Sequence, residues 1–181
     1  MAVIDANPTQ LWHELLRDAE SRSGAMLDED TESYLVFLLM RHLRDAGLGG
    51  RVLALDSLLA LAAQGAQRRD ALRDVGDRCL LIAGWYPAQA EQRLVSLDYF
   101  LTLGAHAYAE LAHATRSAWS ELYTRLAQAF ARLVRVLVAL RRLAGEGPSA
   151  LSRHALALAD PAAAAHEFPD LVLLHGDARR H

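Results

Sequence analysis

The stretch of residues 118–143 constrains the fold more than any other part of the chain. Apolar residues recur in it at alternating spacings of three and four, and neither Pro nor Gly interrupts it. The repeat consists of Trp119, Leu122, Leu126, Ala129, Leu133, Val136, Leu140 and Leu143. This period predicts one α-helix of roughly 39 Å, at about 1.5 Å per residue. The positions that follow in each repeat, Tyr123, Phe130 and Leu137, are also apolar. The stripe is therefore too broad for a two-stranded coiled coil and indicates the spine of a globular bundle.

Shorter segments with the same period predict helices that pack along this spine. Their predicted ranges are about 8–24, 28–47, 51–64, 67–83 and 96–114. Leu and Ala dominate the chain and Ile is nearly absent, which favours helices over strands. We therefore predict an all-α fold, a globular bundle of about six helices forming a single domain over residues 1–147. A partly helical C-terminal tail over residues 148–181 should dock on the bundle or on a second subunit.

Composition excludes several classes of protein. The net charge of −3 does not attract nucleic acid or an anionic membrane, and all 19 basic residues are Arg. The single cysteine, Cys79, rules out an internal disulfide, fits a reducing cytoplasm and is expected to be a small core residue. The sequence holds no run of about 18 apolar residues, and residues 1–7 do not resemble a secretion signal. We therefore expect a cytoplasmic protein without membrane contact.

Three residues between 96 and 114 could hold a metal ion. His106, Glu110 and His113 are spaced by four and three residues, which places them within about 60° on one face of a helix. Two imidazoles and a carboxylate suit zinc or non-haem iron. However, no second such unit is present, and this face lies opposite the apolar one. We predict no cofactor. This helix face is expected to be a solvated surface or part of a subunit contact, and a divalent metal site is the alternative.

A row of arginines on the long helix is the second candidate site. Arg125, Arg132, Arg135 and Arg142 fall within about 100° of arc, a pattern that can follow a phosphate backbone. Residues 14–32 hold seven acids, so these two segments are expected to complement each other within one chain or across a dimer. Nucleic acid is therefore an unlikely partner.

Charged residues between 69 and 78 alternate in sign at helical spacing. Each carboxylate has arginines in reach, so this cluster predicts an ion-pair network rather than an acid–base site. Trp85 and Tyr86, at the helix break before Pro87, could line a pocket or close the end of the bundle.

Three short stretches resemble a family of uncharacterised proteobacterial proteins over about residues 10–115. They are Glu32-Ser33-Tyr34-Leu35-Val36-Phe37, Ala71-Leu72-Arg73-Asp74-Val75-Gly76-Asp77, and Tyr99-Phe100 with Gly104 and Tyr108. The resemblance implies a bacterial, cytoplasmic origin and brings no catalytic residues.

The sequence best fits a non-catalytic interaction or regulatory protein that acts through helix faces. Wide apolar faces on nearly every predicted helix also favour a homodimer, and such faces could also bind another protein. The alternative is a helical metal- or small-ligand-binding protein centred on His106, Glu110 and His113 and on the corner formed by Trp85 and Tyr86.

Overall fold

The computed structural model describes residues 8–42, 62–86 and 96–145, and within these ranges it contains five helices and no strands. The helices are α1 (Pro8–Ser23), α2 (Glu29–His42), α3 (Gly65–Gly84), α4 (Leu97–His113) and α5 (Ala118–Gly145). The all-α prediction is confirmed, with five described helices instead of about six. The helix predicted over residues 51–64 lies outside the described residues except for its last three, and the tail over residues 148–181 lies entirely outside them.

Local side-chain chemistry sets the starts of two helices. Asp28 caps α2, because its Oδ1 accepts a hydrogen bond from the Thr31 amide at 3.2 Å and its Oδ2 accepts one from the Thr31 hydroxyl at 2.9 Å. Ser96 caps α4 and accepts a hydrogen bond from the Tyr99 amide at 3.3 Å. Both positions were predicted as helix starts from the sequence.

The long helix α5 is the spine of the bundle, as its apolar period predicts. It packs against each of the other four helices, so its buried stripe is broad. The buried positions include Tyr123, Leu126, Ala129, Phe130, Leu133, Val136, Leu137 and Leu140. Only the first residue of the repeat, Trp119, is largely exposed. Within the described ranges, no helix has the length and apolar character needed to cross a membrane.

Glycines allow α3 and α4 to approach other side chains closely. A Cβ added at Gly76 would lie 2.6 Å from Cε1 of Tyr108, so only glycine fits against that ring. Gly104 makes a similar contact with Phe130 and lies beside Cys79. Burial raises the pKa of the Cys79 thiol to about 12. The prediction that Cys79 is a core residue is confirmed.

Candidate functional site

A groove of about 450 Å³ lies between α2 and the first turns of α5, with one residue of α3. We call it the aromatic groove. Its lining comprises Asp30, Ser33, Tyr34, Phe37, Arg41, Arg73, Ala118, Trp119, Leu122, Tyr123 and Arg125. Two of these side chains are large, apolar and exposed, Phe37 at 62% and Trp119 at 59%. Exposed aromatic residues gathered in one concave site are typical of binding surfaces.

An ion pair joins the two helices at one end of the aromatic groove. Nη2 of Arg125 lies 2.6 Å from Oδ2 of Asp30, and Nη1 lies 3.8 Å from Oδ1 of Asp28. Burial alone would raise the pKa of Asp28, but the hydrogen bonds from Thr31 and the charge of Arg125 lower it. The acidic start of α2 therefore pairs with Arg125, as the opposite charges of residues 14–32 and of the long helix predict.

A fully buried carboxylate lies beneath the wall of the aromatic groove. Asp77 has 0% exposure, and its Oδ1 accepts hydrogen bonds from the Tyr34 hydroxyl at 2.6 Å and the Tyr108 hydroxyl at 2.7 Å. Nη2 of Arg41 donates to Oδ2 of the same carboxylate. Burial and then the charge of Asp77 raise the pKa of both phenols well above the ordinary tyrosine value, so both stay protonated donors.

Sequence reasoning assigned Asp77 to the surface charges of its helix and missed this role. Two of the predicted ion pairs are present, Arg73 with Asp70 at 3.4 Å and Arg78 with Asp74 at 3.0 Å. Asp77 instead points inward, because every residue of α3 from Val75 to Gly84 is buried except the partly buried Arg78. The wholly apolar run that follows Arg78, Cys-Leu-Leu-Ile-Ala, was the available signal, since it leaves that part of the helix no polar face.

The predicted metal ligands do not come together. His106 and His113 are exposed, and Oε2 of Glu110 pairs with Nη2 of Arg68 at 2.9 Å. Among the residues that the structure describes, no group of three His, Cys, Asp or Glu side chains could hold a metal ion. The metal hypothesis stays a prediction, and the geometry gives it no support.

The arginine row on α5 divides between two surfaces. Arg125 belongs to the aromatic groove, whereas Arg135 and Arg142 line a second groove of about 530 Å³ near the end of α5. Arg132 is exposed on the helix surface. The four arginines therefore do not form one continuous site.

The corner formed by Trp85 and Tyr86 belongs to the core. Trp85 is buried and meets Trp12 of α1 edge-on, with ring centroids 6.4 Å apart. Tyr86 is partly buried and packs against the same core. The pair therefore ties the end of α3 to α1, which matches the alternative that these residues close an end of the bundle.

The chain matches no protein-family model, and comparisons with curated proteins and with solved structures find no match either. The resemblance to a proteobacterial family therefore stays a prediction.

Proposed function

We propose that this protein is a non-catalytic interaction protein whose binding surface is the aromatic groove, and that the groove takes an amphipathic helix of a protein partner. The observation that carries this proposal is the exposure of Phe37 and Trp119, which come from different helices and line one groove. Large aromatic side chains supply most of the binding energy at many protein interfaces.

The spacing of the lining residues favours a helix as the ligand. Along α2 they occur at Asp30, Ser33, Tyr34, Phe37 and Arg41, which is one face of the helix over about 16 Å at 1.5 Å per residue. A partner helix of about three turns has the same length and presents side chains at matching intervals. Grooves between helices bind partner helices through such anchors at spacings of three, four and seven residues.

Charge differs between the two ends of the aromatic groove. Asp28 and Asp30 outnumber Arg125 at the start of α2. Past Trp119 the groove continues into a hollow of about 160 Å³, where Arg69 and Arg73 outnumber Asp70. Helices commonly carry acids in their first turn and bases in their last. When such a helix lies antiparallel to α2, its basic last turn meets the acidic end of the groove and its acidic first turn meets the basic end.

Tryptophan fluorescence provides a direct assay of this proposal. The chain has three tryptophans, and Trp12 and Trp85 are only 3% and 8% exposed. Quenching by acrylamide therefore reports chiefly on Trp119. The probe is a synthetic helical peptide of three turns with leucines on one face, acids at its start and bases at its end. The matched control peptide has the same charges and serine in place of each leucine.

In protein dilute enough to sediment at the mass of one chain, we expect the leucine peptide to shield Trp119 from acrylamide and the serine peptide to leave it accessible. Shielding should be lost in Phe37→Ser and kept in Met26→Ser, which removes an apolar side chain that is 72% exposed and does not line the aromatic groove. Equal shielding by both peptides, or undiminished shielding in Phe37→Ser, would contradict the proposal.

A further inference from the structure

We infer that the helix bound by the aromatic groove is α2 of a second copy of this chain, so that two copies form a two-fold dimer. This inference rests on the proposed function of the groove and names its partner. The groove-lining face of α2 would lie in the groove of the other copy, and the reverse contact would follow from the symmetry.

The helix α2 has the charge pattern and the length that the groove favours in its ligand, and Phe37 is its exposed aromatic anchor. Its first turn carries Glu29, Asp30 and Glu32, and Arg41 lies near its end. Phe37 stands between these charges and is exposed on the same face. The helix is 14 residues long, enough to cover the length of the groove. Among the described helices, α2 alone is acidic in its first turn, ends near an arginine and carries a largely exposed Phe on its face.

An antiparallel arrangement makes this surface complementary to itself. When two α2 helices cross antiparallel, the acidic start of each one meets the arginine end of the other. The midpoint between Asp30 and Arg41 falls about one or two residues before Phe37. At about 1.5 Å per residue, both copies of Phe37 would then lie within a few ångströms of the two-fold axis. Each Phe37 could enter the groove of the other copy and contact its Trp119.

The charge balance of the surface also favours a second copy over a strongly charged partner. The acids at the edges of the aromatic groove are Asp28, Asp30 and Asp70, and the bases paired with them or adjacent to them are Arg69, Arg73 and Arg125. Arg41 is matched by Asp77. A surface of one sign would repel its own copy, whereas a two-fold interface needs both signs on the same patch.

Sedimentation and thiol cross-linking of the full chain test this inference together. Wild-type protein should sediment at twice the chain mass at micromolar concentration, and Phe37→Ser and Trp119→Ser should both shift it to the mass of one chain. Met26→Ser is the matched control and should remain dimeric. Helical content measured by circular dichroism checks that each variant is folded, which the exposure of all three positions leads us to expect.

Cross-linking locates the two-fold axis. Ser33→Cys, which keeps both Phe37 and Trp119, should give a covalent dimer with a short bismaleimide, because Ser33 lines the groove only two or three residues before the midpoint of α2 and the two new thiols lie near the axis. Met26→Cys should give none, and the buried Cys79 should not react. The leucine peptide described above should compete with the second copy and reduce the yield from Ser33→Cys at least tenfold.

The possible outcomes separate this inference from the proposed function. A monomeric wild type whose Trp119 is shielded by the leucine peptide overturns the dimer and leaves the groove as a site for another protein. A dimer that persists in folded Phe37→Ser and Trp119→Ser, or that gives no covalent product from Ser33→Cys, overturns this surface as the dimer contact. Failure of both the peptide assay and the dimer assay overturns both proposals.

Discussion

Removal of the two tyrosine hydroxyls that donate to Asp77 should reveal how the buried carboxylate is stabilised. Tyr34→Phe and Tyr108→Phe each delete one hydroxyl and keep the ring, so the edge-on contact of the two rings, with centroids 6.0 Å apart, is retained. Both hydroxyls bind the same oxygen, Oδ1, while Arg41 binds the other one. Each single variant therefore removes one phenol donor from Oδ1, and the double variant removes both.

The free energy of unfolding should fall further in the double variant than the sum of its decreases in the two single variants. Loss of one hydrogen bond to a charged group destabilises by about 1.5–3 kcal/mol. For a chain of this length, each kcal/mol lowers the melting temperature by about 2–4 °C, so each single variant should melt about 3–12 °C lower. In the double variant, one buried oxygen loses both of its phenol donors, and we expect a further coupling of about 0.5–3 kcal/mol.

Urea denaturation of the wild type, Tyr34→Phe, Tyr108→Phe and the double variant gives the free energy of unfolding of each protein. The cost of each single substitution and the coupling between the two follow from these four values. Tyr99→Phe is the control, because Tyr99 is exposed and its hydroxyl makes no hydrogen bond within the described residues; the change should be within about 0.5 kcal/mol. Two results would refute the reasoning. One is a cost for Tyr108→Phe no larger than that of Tyr99→Phe, and the other is a double variant whose cost equals the sum of the two single costs or falls below it.

Three further predictions concern the core and its titratable groups. Gly104→Ala should destabilise by about 1–3 kcal/mol in urea, because its new methyl group would meet Phe130; an unchanged midpoint would show that α4 can move away. Burial raises the pKa of the Glu20 carboxyl despite the hydrogen bond from the Leu27 amide. The folded state therefore binds the Glu20 proton more tightly than the unfolded chain does, and the free energy of unfolding falls as the pH rises through the carboxyl range. Glu20→Gln should therefore be more favourable, relative to the parent, at about pH 7 than at about pH 4, and a gap independent of pH would contradict this. The Cys79 thiol, with its pKa raised to about 12, should react with iodoacetamide at neutral pH only after unfolding, and rapid labelling of the folded protein would exclude its burial.

Periodic features of the fold could be predicted from the sequence, because each depends on residues a few positions apart. The spine α5, the caps at Asp28 and Ser96, and the close approach at Gly76 all follow from local spacing and from the preferences of single residue types. The aromatic groove could not be predicted in this way. It joins Phe37 of α2 to Trp119 at the start of α5, about 80 residues later in the chain, and no local pattern specifies that neighbourhood.

The predicted site residues show the same limit. The spacing of His106, Glu110 and His113 correctly placed them on one helix, but spacing does not show what lies opposite that face. In the folded chain Arg68 of α3 lies there and pairs with Glu110. The row of arginines on α5 was likewise a property of one helix, and the neighbouring helices divide it between two grooves.

The buried carboxylate and the aromatic groove depend on each other, because Tyr34 and Arg41 belong to both. These two residues are seven apart, which places them within about 20° on one side of α2. Only one rotation of α2 about its axis directs both of them to Asp77, and in that rotation Phe37 lies about 60° away, at the edge facing the solvent. An ion pair whose carboxylate is buried adds little stability compared with well-packed apolar residues, and the Arg41 side chain is itself half-exposed. The role that best accounts for Asp77 is therefore to fix the rotation of α2, which keeps Phe37 exposed in the aromatic groove instead of buried in the core.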